Sequence, residues 1–204
     1  MNIENDIFKR SIVNIDKLKI SGKHNLKNIH TILKVLEILN ININNKKDKI
    51  YEIEPLPHRL EKFFVPTYPL TLFINDSKST NVHSLKVALL DVLSKYKSKN
   101  IYLIIGGMKI KQDYHLVQNL LLKLNNVFCF GEAGKYYFEY TSKVNKPYET
   151  LHTLLNDFVK INFNKEDVVL FSPGAPSMDE FTSFEVRGTY FKEFLCNIKD
   201  KSFD

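Results

Sequence analysis

The sequence predicts an α/β fold in which a mainly parallel sheet carries helices on both faces. Three observations lead there. From residue 70 onward, short apolar runs alternate with segments of helical periodicity, the pattern expected when parallel strands are joined by helical crossovers. The runs are nearly continuous, as in Leu70 to Ile74 and Ile101 to Ile105, which suits strands buried on both sides. Three of them stop abruptly at loops rich in polar residues or glycine: Asp76 to Asn81, Gly106 to Lys111, and Ser172 to Ser177. Parallel strands bring such loops to one edge of the sheet, where open α/β sheets place their ligands.

Taken in order, the pattern gives strand 70–75, helix 82–96, strand 101–106, a helix near 113–124, strand 127–131, a helix near 133–142, helix 149–160, strand 168–172 and a helix near 188–198. The helix after residue 82 is the clearest, with Val82, Leu85, Val87-Ala88-Leu89 and Val92-Leu93 on one face. Upstream, Phe8 to Ile20 alternates and is expected to form strands from the end of a larger sheet, so that the chain starts in mid-fold. Ser21 to Asn25 reads as a turn and helix start, followed by Leu26, Ile29, Ile32-Leu33, Leu36 and Leu39 at helical spacing. The proline-bounded stretch Ile53 to Glu61 marks a boundary. Three segments follow: 1–54, the tail of one domain, which should expose apolar surface; 55–69, a hinge; and 70–204, a complete domain.

Composition narrows the class. The chain of 204 residues is 44% apolar, with 15 Phe and 10 Tyr, enough to bury a full core. No apolar run approaches the roughly 18 residues of a membrane span, and Met1 to Asp6 shows no apolar signal segment, so neither a membrane nor a secreted location is expected and the cytoplasm is. The formal charge of +6 comes from lysines scattered among Asn and Ile along the whole length. Only Asn44 to Lys49 forms a basic run, read as a solvated loop, and no nucleic-acid recognition motif accompanies it. Cys129 and Cys196 are far apart and flanked by apolar residues, so both are expected to be buried, reduced thiols.

Several residue groups carry candidate chemistry. Asp76-Ser77-Lys78-Ser79-Thr80 places a carboxylate, an ammonium and three hydroxyls between a strand end and a helix N-terminus. Such a group suits a ribose, a phosphate or a carboxylate, while helix capping is the plainer alternative. Asn25 and Asn28 share a helix face, either offering amides to a base or as ordinary polar surface. His58-Arg59 at the hinge presents either a phosphate clamp or a salt bridge with Glu61. His30, His83, His115 and His152 lack ligand spacing, there is no HExxH or CxxC, and Gly131 to Gly134 is a strand-to-helix turn that falls short of GxGxxG. Nowhere does the chain spell GxxxxGK[ST], the phosphate-cradling loop.

Read together, Gly22 to Asn28, Leu56-Pro57-His58-Arg59-Leu60-Glu61, Asn75 to Asn81, and Ser172-Pro173 through Phe184-Glu185-Val186-Arg187-Gly188 resemble the Mur ligase family, in order and spacing, over residues 8–198. The DSKxTN and PHRLE motifs resemble the branch that adds D-glutamate to UDP-N-acetylmuramoyl-L-alanine. The resemblance implies a Rossmann-like C-terminal amino-acid-binding domain preceded by the tail of a P-loop central domain. It implies ATP and Mg2+, with the metal ligands outside this chain. It also implies small-molecule partners (UDP-N-acetylmuramoyl-L-alanine, D-glutamate, ATP), a separate N-terminal ligase half, and no nucleic acid or membrane.

By position, it assigns Asn25 and Asn28 to adenine, Arg59 to the nucleotide phosphates, Asp76 to ribose, and Lys78 and His58 to catalysis. Thr80, Ser177 and Phe184 are assigned to D-glutamate. The family's lysine after Gly-Gly falls at Ile110, flanked here by Lys109 and Lys111, so the resemblance implies either that a local shift lets Lys111 or Lys109 restore the contact with D-glutamate or that this grip is weakened. With no P-loop, the chain alone is expected to be inactive. A non-catalytic Rossmann-like remnant or nucleotide- or amino-acid-binding module is the alternative; a folate polyglutamate or cyanophycin-type ligase fits the DSK stretch poorly.

Overall fold

The computed structural model describes residues 14, 17–19, 23–41, 47–124, 126–141 and 146–198. The chain divides into two compact units, Met1–Leu56 and Pro57–Asp204. In the first, α1 (Lys23–Ile38) follows the predicted apolar spacing. Of its apolar residues Ile29 is buried, whereas Ile32, Val35 and Ile38 are exposed. The expected strands of residues 8–20 lie outside the described residues except for Asn14 and residues 17–19, none of which is in a strand. Part of the basic run also lies outside them, but Lys47-Asp48-Lys49 opens a short helix, α2 (Lys47–Tyr51), where a loop was expected.

Among its described residues the second unit is built on five strands. In sequence they are β1 (Glu61–Phe63), β2 (Leu72–Asn75), β3 (Ile101–Gly106), β4 (Asn126–Phe130) and β5 (Val168–Phe171), and in space they run β1-β2-β5-β3-β4. All neighbours are parallel except β1, which pairs antiparallel with β2 in the register Glu61↔Asn75 and Phe63↔Phe73. The edge strand β1 lies in what the sequence presents as hinge, because three residues beside a proline-rich stretch carry no periodic signal.

Helices cover both faces, and the two-residue period of the strands decides which side chain goes where. Ile74, Leu103, Ile105, Cys129 and Leu170 point to one face, against α3 (Val82–Lys95), a 3-10 turn (Tyr114–Val117) running into α4 (Gln118–Leu121), and α5 (Gly131–Phe138). Phe73, Ile104, Phe128, Phe130 and Phe171 point to the other, against α6 (Leu151–Phe158) and α7 (Phe184–Cys196). This second face is aromatic: Phe171 stacks on Phe191 at 4.3 Å between ring centroids, and Tyr102 meets Phe163 edge-on at 5.0 Å. The helices start at polar caps: Asn81 for α3, Thr150 for α6 and Ser183 for α7. Among the described residues no helix is long and apolar enough to cross a membrane. Cys129 is buried as expected, but Cys196 is exposed, because it falls on the outer side of α7.

Phe171 is fully buried at the centre of the aromatic face. Its replacement by alanine should lower stability by about 3–5 kcal/mol, measured as a shift of the urea midpoint at unchanged m-value. A loss under about 1 kcal/mol would show that this face relaxes around the cavity and is not the packed core described.

Candidate functional site

Because β5 lies between β2 and β3, the loops that leave the C-terminal ends of these three strands are neighbours. Asp76 to Asn81 follows β2, Ser172 to Ser177 follows β5, and Gly107 to Lys111 follows β3. The loops are also stitched together: Gly174 N–H donates to Ser79 O at 2.7 Å, Gly106 N–H to Pro173 O at 2.9 Å, and Met108 N–H to Pro176 O at 2.9 Å.

At the centre of this edge is Arg187, a residue of α7 that is completely buried. Its Nε donates to Ser77 Oγ at 3.1 Å and its Nη2 to Ser77 O at 2.9 Å. Its Nη1 donates to Ala175 O and Pro176 O at 3.0 and 3.1 Å. Burial lowers its pKa to about 10, against the raising fields of Asp179 and Glu180, so it stays charged at neutral pH. Gly107, at φ +123°, makes room for it: a Cβ there would come 2.9 Å from Arg187 Nη1 and 2.5 Å from Pro176 O.

A second network ties the hinge to the same edge. Asn75 is wholly buried; its Nδ2 donates to Gly188 O at 3.0 Å and to His58 Nδ1 at 2.9 Å, and its Oδ1 accepts from Ser77 N–H at 3.1 Å. With Nδ1 accepting, His58 is the neutral tautomer that carries its proton on Nε2. Burial lowers its pKa; Glu61 opposes this and Lys192 reinforces it. His58 is buried at φ +60°. Gly188 is required beside it, since a Cβ there would come 2.3 Å from His58 Nδ1.

Asp76 is buried too, its Oδ1 accepting from Leu60 N–H at 3.2 Å and its Oδ2 from the Ser172 hydroxyl at 2.7 Å. Burial pushes its pKa up to about 7, against the lowering influence of Ser172, Leu60 and Arg59. The carboxylate therefore binds the hinge to the end of β5, and the helix cap is Asn81 instead. Arg59 is exposed, and the salt bridge weighed for it is not made: Glu61 pairs with Lys192 and accepts from His58 N–H.

Lys78 is half-buried, with its Nζ 3.9 Å from the centroid of the Phe184 ring. Phe184 opens α7, and its carbonyl accepts from Ser77 Oγ at 2.8 Å. Thr80 is half-buried one residue before the α3 cap, and the neighbouring Ser79 Oγ is buried without a hydrogen-bond partner. Ser177 is buried beside Pro176, its carbonyl accepting from Glu180 and Phe181 N–H. The structure thus brings His58, Asp76, Lys78, Thr80, Ser177 and Phe184 onto one frame.

Other predicted residues stand apart. Lys111 is exposed, Ile110 is half-buried with its carbonyl accepting from Tyr114 OH, and Lys109 reaches across to the hydroxyl of Tyr136 on α5. In the first unit Asn28 is exposed on α1, and the side chain of Asn25 lies outside the described residues. A cleft of about 330 Å³ beside Gly131 is lined by Glu132, Glu149, Asp179 and Glu180 against Lys135. Its acidic lining disfavours anions, and none of the predicted site residues borders it. Among the described residues no three His, Cys, Asp or Glu side chains gather as a metal site, and no step is assigned to a magnesium ion.

Three residues escaped the sequence reading. Arg187 had a signal: it keeps the four-residue spacing of Phe191 and Leu195 on the buried stripe of α7, and an arginine in such a stripe must be bonded inside. Asn75, the last residue of an apolar strand, had a weaker one. Gln112, whose Oε1 accepts from Val82 N–H at 2.8 Å and whose Nε2 donates to Gly174 O at 3.0 Å, had none.

No protein-family model matches the chain. It is 33% identical over 205 residues to UDP-N-acetylmuramoylalanine--D-glutamate ligase of Francisella tularensis subsp. novicida, a match covering 98% of this chain and 48% of that protein. It is 34% identical over 207 residues to the enzyme of the same name from Fusobacterium nucleatum, covering 96% and 46% respectively. The chain thus spans about half the length of these curated relatives. Among solved structures, MurF from Acinetobacter baumannii superposes with a TM-score of 0.63 at 16% identity, over 87% of this chain and 38% of that one, a likeness of fold.

Asp76 also predicts a pH dependence. Its folded pKa, about 7, lies above its ordinary 3.8, so the folded state binds more protons between those values and stability falls as pH rises through that window. Asp76→Asn can keep both hydrogen bonds, with the Ser172 hydroxyl turned to accept. Urea unfolding across that window should show a steeper loss for the wild type than for Asp76→Asn; parallel profiles would place the Asp76 carboxyl in solvent contact.

Proposed function

The chain belongs to the Mur ligase family, and we propose that it is the C-terminal part of a member that joins D-glutamate to UDP-N-acetylmuramoyl-L-alanine at the expense of ATP, in cytoplasmic synthesis of peptidoglycan precursors. The observation that carries this reading is the edge itself: Lys78, Thr80 and Ser177 stand on loops gathered around a buried, charged Arg187 that no carboxylate among the described residues hydrogen-bonds. That arrangement favours an anionic ligand with more than one acceptor group, as a dicarboxylic amino acid is.

In the proposed reaction, the L-alanine carboxylate attacks the γ-phosphorus of ATP, giving an acyl phosphate and ADP. The amine of D-glutamate then attacks the acyl carbon, phosphate leaves and a proton is lost. Thr80 and Ser177 hold the two carboxylates of D-glutamate, with the backbone at Phe184 supporting the second. Lys78 faces the charge that develops on the transferring groups, and neutral His58 holds its place beside the hinge. Arg59, exposed where the hinge meets β1, takes nucleotide phosphates, and Asp76 the ribose. The phosphate-cradling loop and the magnesium ligands come from a separate N-terminal part. Such catalysis rests on positioning and charge stabilisation.

The test pairs this chain with an N-terminal fragment of the Francisella relative that ends where the present match begins. Phosphate release should require both polypeptides and D-glutamate. Lys78→Ala should lower the rate by roughly 100-fold or more, and Thr80→Ala should chiefly raise the KM for D-glutamate. Equal use of L-glutamate, or unchanged rates in both variants, would overturn the assignment. D-glutamate binding by calorimetry without any restored ligation would turn the reading toward a binding module.

A further inference from the structure

We propose that Phe184 is a positioning residue for Lys78: the face of its ring is the seat in which the lysine ammonium waits, charged and unneutralised, for an anionic group. The proposal rests on the reading of the Asp76 to Thr80 loop as an anion-binding loop. The ammonium nitrogen lies 3.9 Å from the ring centroid, well inside the roughly 6 Å over which the quadrupole of an aromatic face attracts a cation. Among the described residues no carboxylate pairs with Lys78; Glu185, next to Phe184 in sequence, feels its charge without bonding to it.

Both sides of the seat are fixed to the buried frame. Lys78 N–H donates to His58 O at 3.0 Å, which sets where the lysine stem begins. Phe184 O accepts from Ser77 Oγ at 2.8 Å, and Ser77 is in turn gripped by Arg187 through both its hydroxyl and its carbonyl. The Ser183 cap fixes the first turn of α7 behind the ring. The ring is therefore placed by the same node that places the loop.

The chemistry explains why a ring is better suited here than a carboxylate. A salt-bridge partner would cancel the charge of Lys78 and would have to be displaced by any incoming anion. An aromatic face steadies the ammonium, leaves its field intact and presents no competing acceptor, so a phosphate or carboxylate takes the cation without breaking an ion pair.

The test is spectroscopic and uses the whole chain without substrate. Reductive methylation with 13C-formaldehyde keeps every lysine charged, and a methylated ammonium over a ring face is shifted upfield by the ring current. Two dimethyl-lysine signals should stand upfield of the main envelope, one that vanishes in Lys78→Arg and one, from Lys109 at 4.3 Å from the Tyr136 ring centroid, that vanishes only in Lys109→Arg. Phe184→Leu should return the Lys78 signal to the envelope and Phe184→Tyr should keep it upfield. Pentafluorophenylalanine at position 184 retains the shape of the ring but reverses the charge of its face, so it too should release the signal, and it serves if Phe184→Leu fails to fold. A Lys78 signal inside the envelope of the wild type, or one that stays upfield with the pentafluoro ring, would overturn the proposal. Failure of D-glutamate ligation would leave this shift in place, and loss of the shift would leave the ligase reading in place, so the two are separable.

Discussion

The guanidinium of Arg187 donates to the carbonyls of Ser77, Ala175 and Pro176 and to the Ser77 hydroxyl. Burying a cation is tolerable only when its donors are satisfied, because the desolvation penalty is several kcal/mol. Here the satisfaction comes from backbone carbonyls of two different loops, so the charge can be housed only if both loops adopt the observed paths. Losing the side chain would leave the Ser77 and Ala175 carbonyls buried and unpaired at about 1–3 kcal/mol each, while Pro176 O would keep Met108 N–H. Arg187 therefore fixes the geometry of the edge as well as its charge.

That constraint works because of the strand order. With β5 between β2 and β3, a single side chain entering from α7 reaches the loop after β2 and the loop after β5, while Gly107, after β3, yields space to it. The hinge is tied in separately, through Asp76 to Leu60 N–H and through Asn75 to His58. Both ties use side chains at the end of β2. The antiparallel pairing of β1 with β2 brings Glu61 opposite Asn75 and so delivers His58 and Arg59 to the edge where the parallel strands end.

The parts of this architecture that repeat were legible in the sequence, and the parts that depend on a single contact were not. Each predicted parallel strand is present within two residues of its expected bounds, since near-continuous apolar runs such as Ile101 to Ile105 have few other uses. Strand β1 escaped because three residues give no period, and α2 escaped because a charged run reads as solvent-exposed whether or not it is helical. In the candidate site, the loops that carry Lys78, Thr80 and Ser177 could be placed at one edge from the topology alone, while the roles given to those residues came from the family resemblance. Their partners could not: that Asp76 would spend both oxygens on Leu60 and Ser172, or that Lys78 would face Phe184 across more than a hundred residues of sequence, follows only once α7 has packed. The exposure of Cys196 belongs to the same class, for its side of the helix is decided by where Arg187 and Phe191 point.

Lys109 reaches to the Tyr136 hydroxyl, with its ammonium 4.3 Å from that ring's centroid, and Ile110 beside it carries no charge. The β4 side of the edge is meanwhile acidic, through Glu132, Glu149, Asp179 and Glu180. Positive charge near β2 and β5 then rests on Arg187, which is immobile and buried, and on Lys78, which is steadied by a neutral ring. One supplies a constant field, and the other is a cation that no carboxylate among the described residues pairs. On the proposed reading, an anion at this edge would meet more repulsion on the β4 side, where only Lys135 offsets four carboxylates, than at the loop after β2, so the asymmetry of charge along the edge would favour the latter.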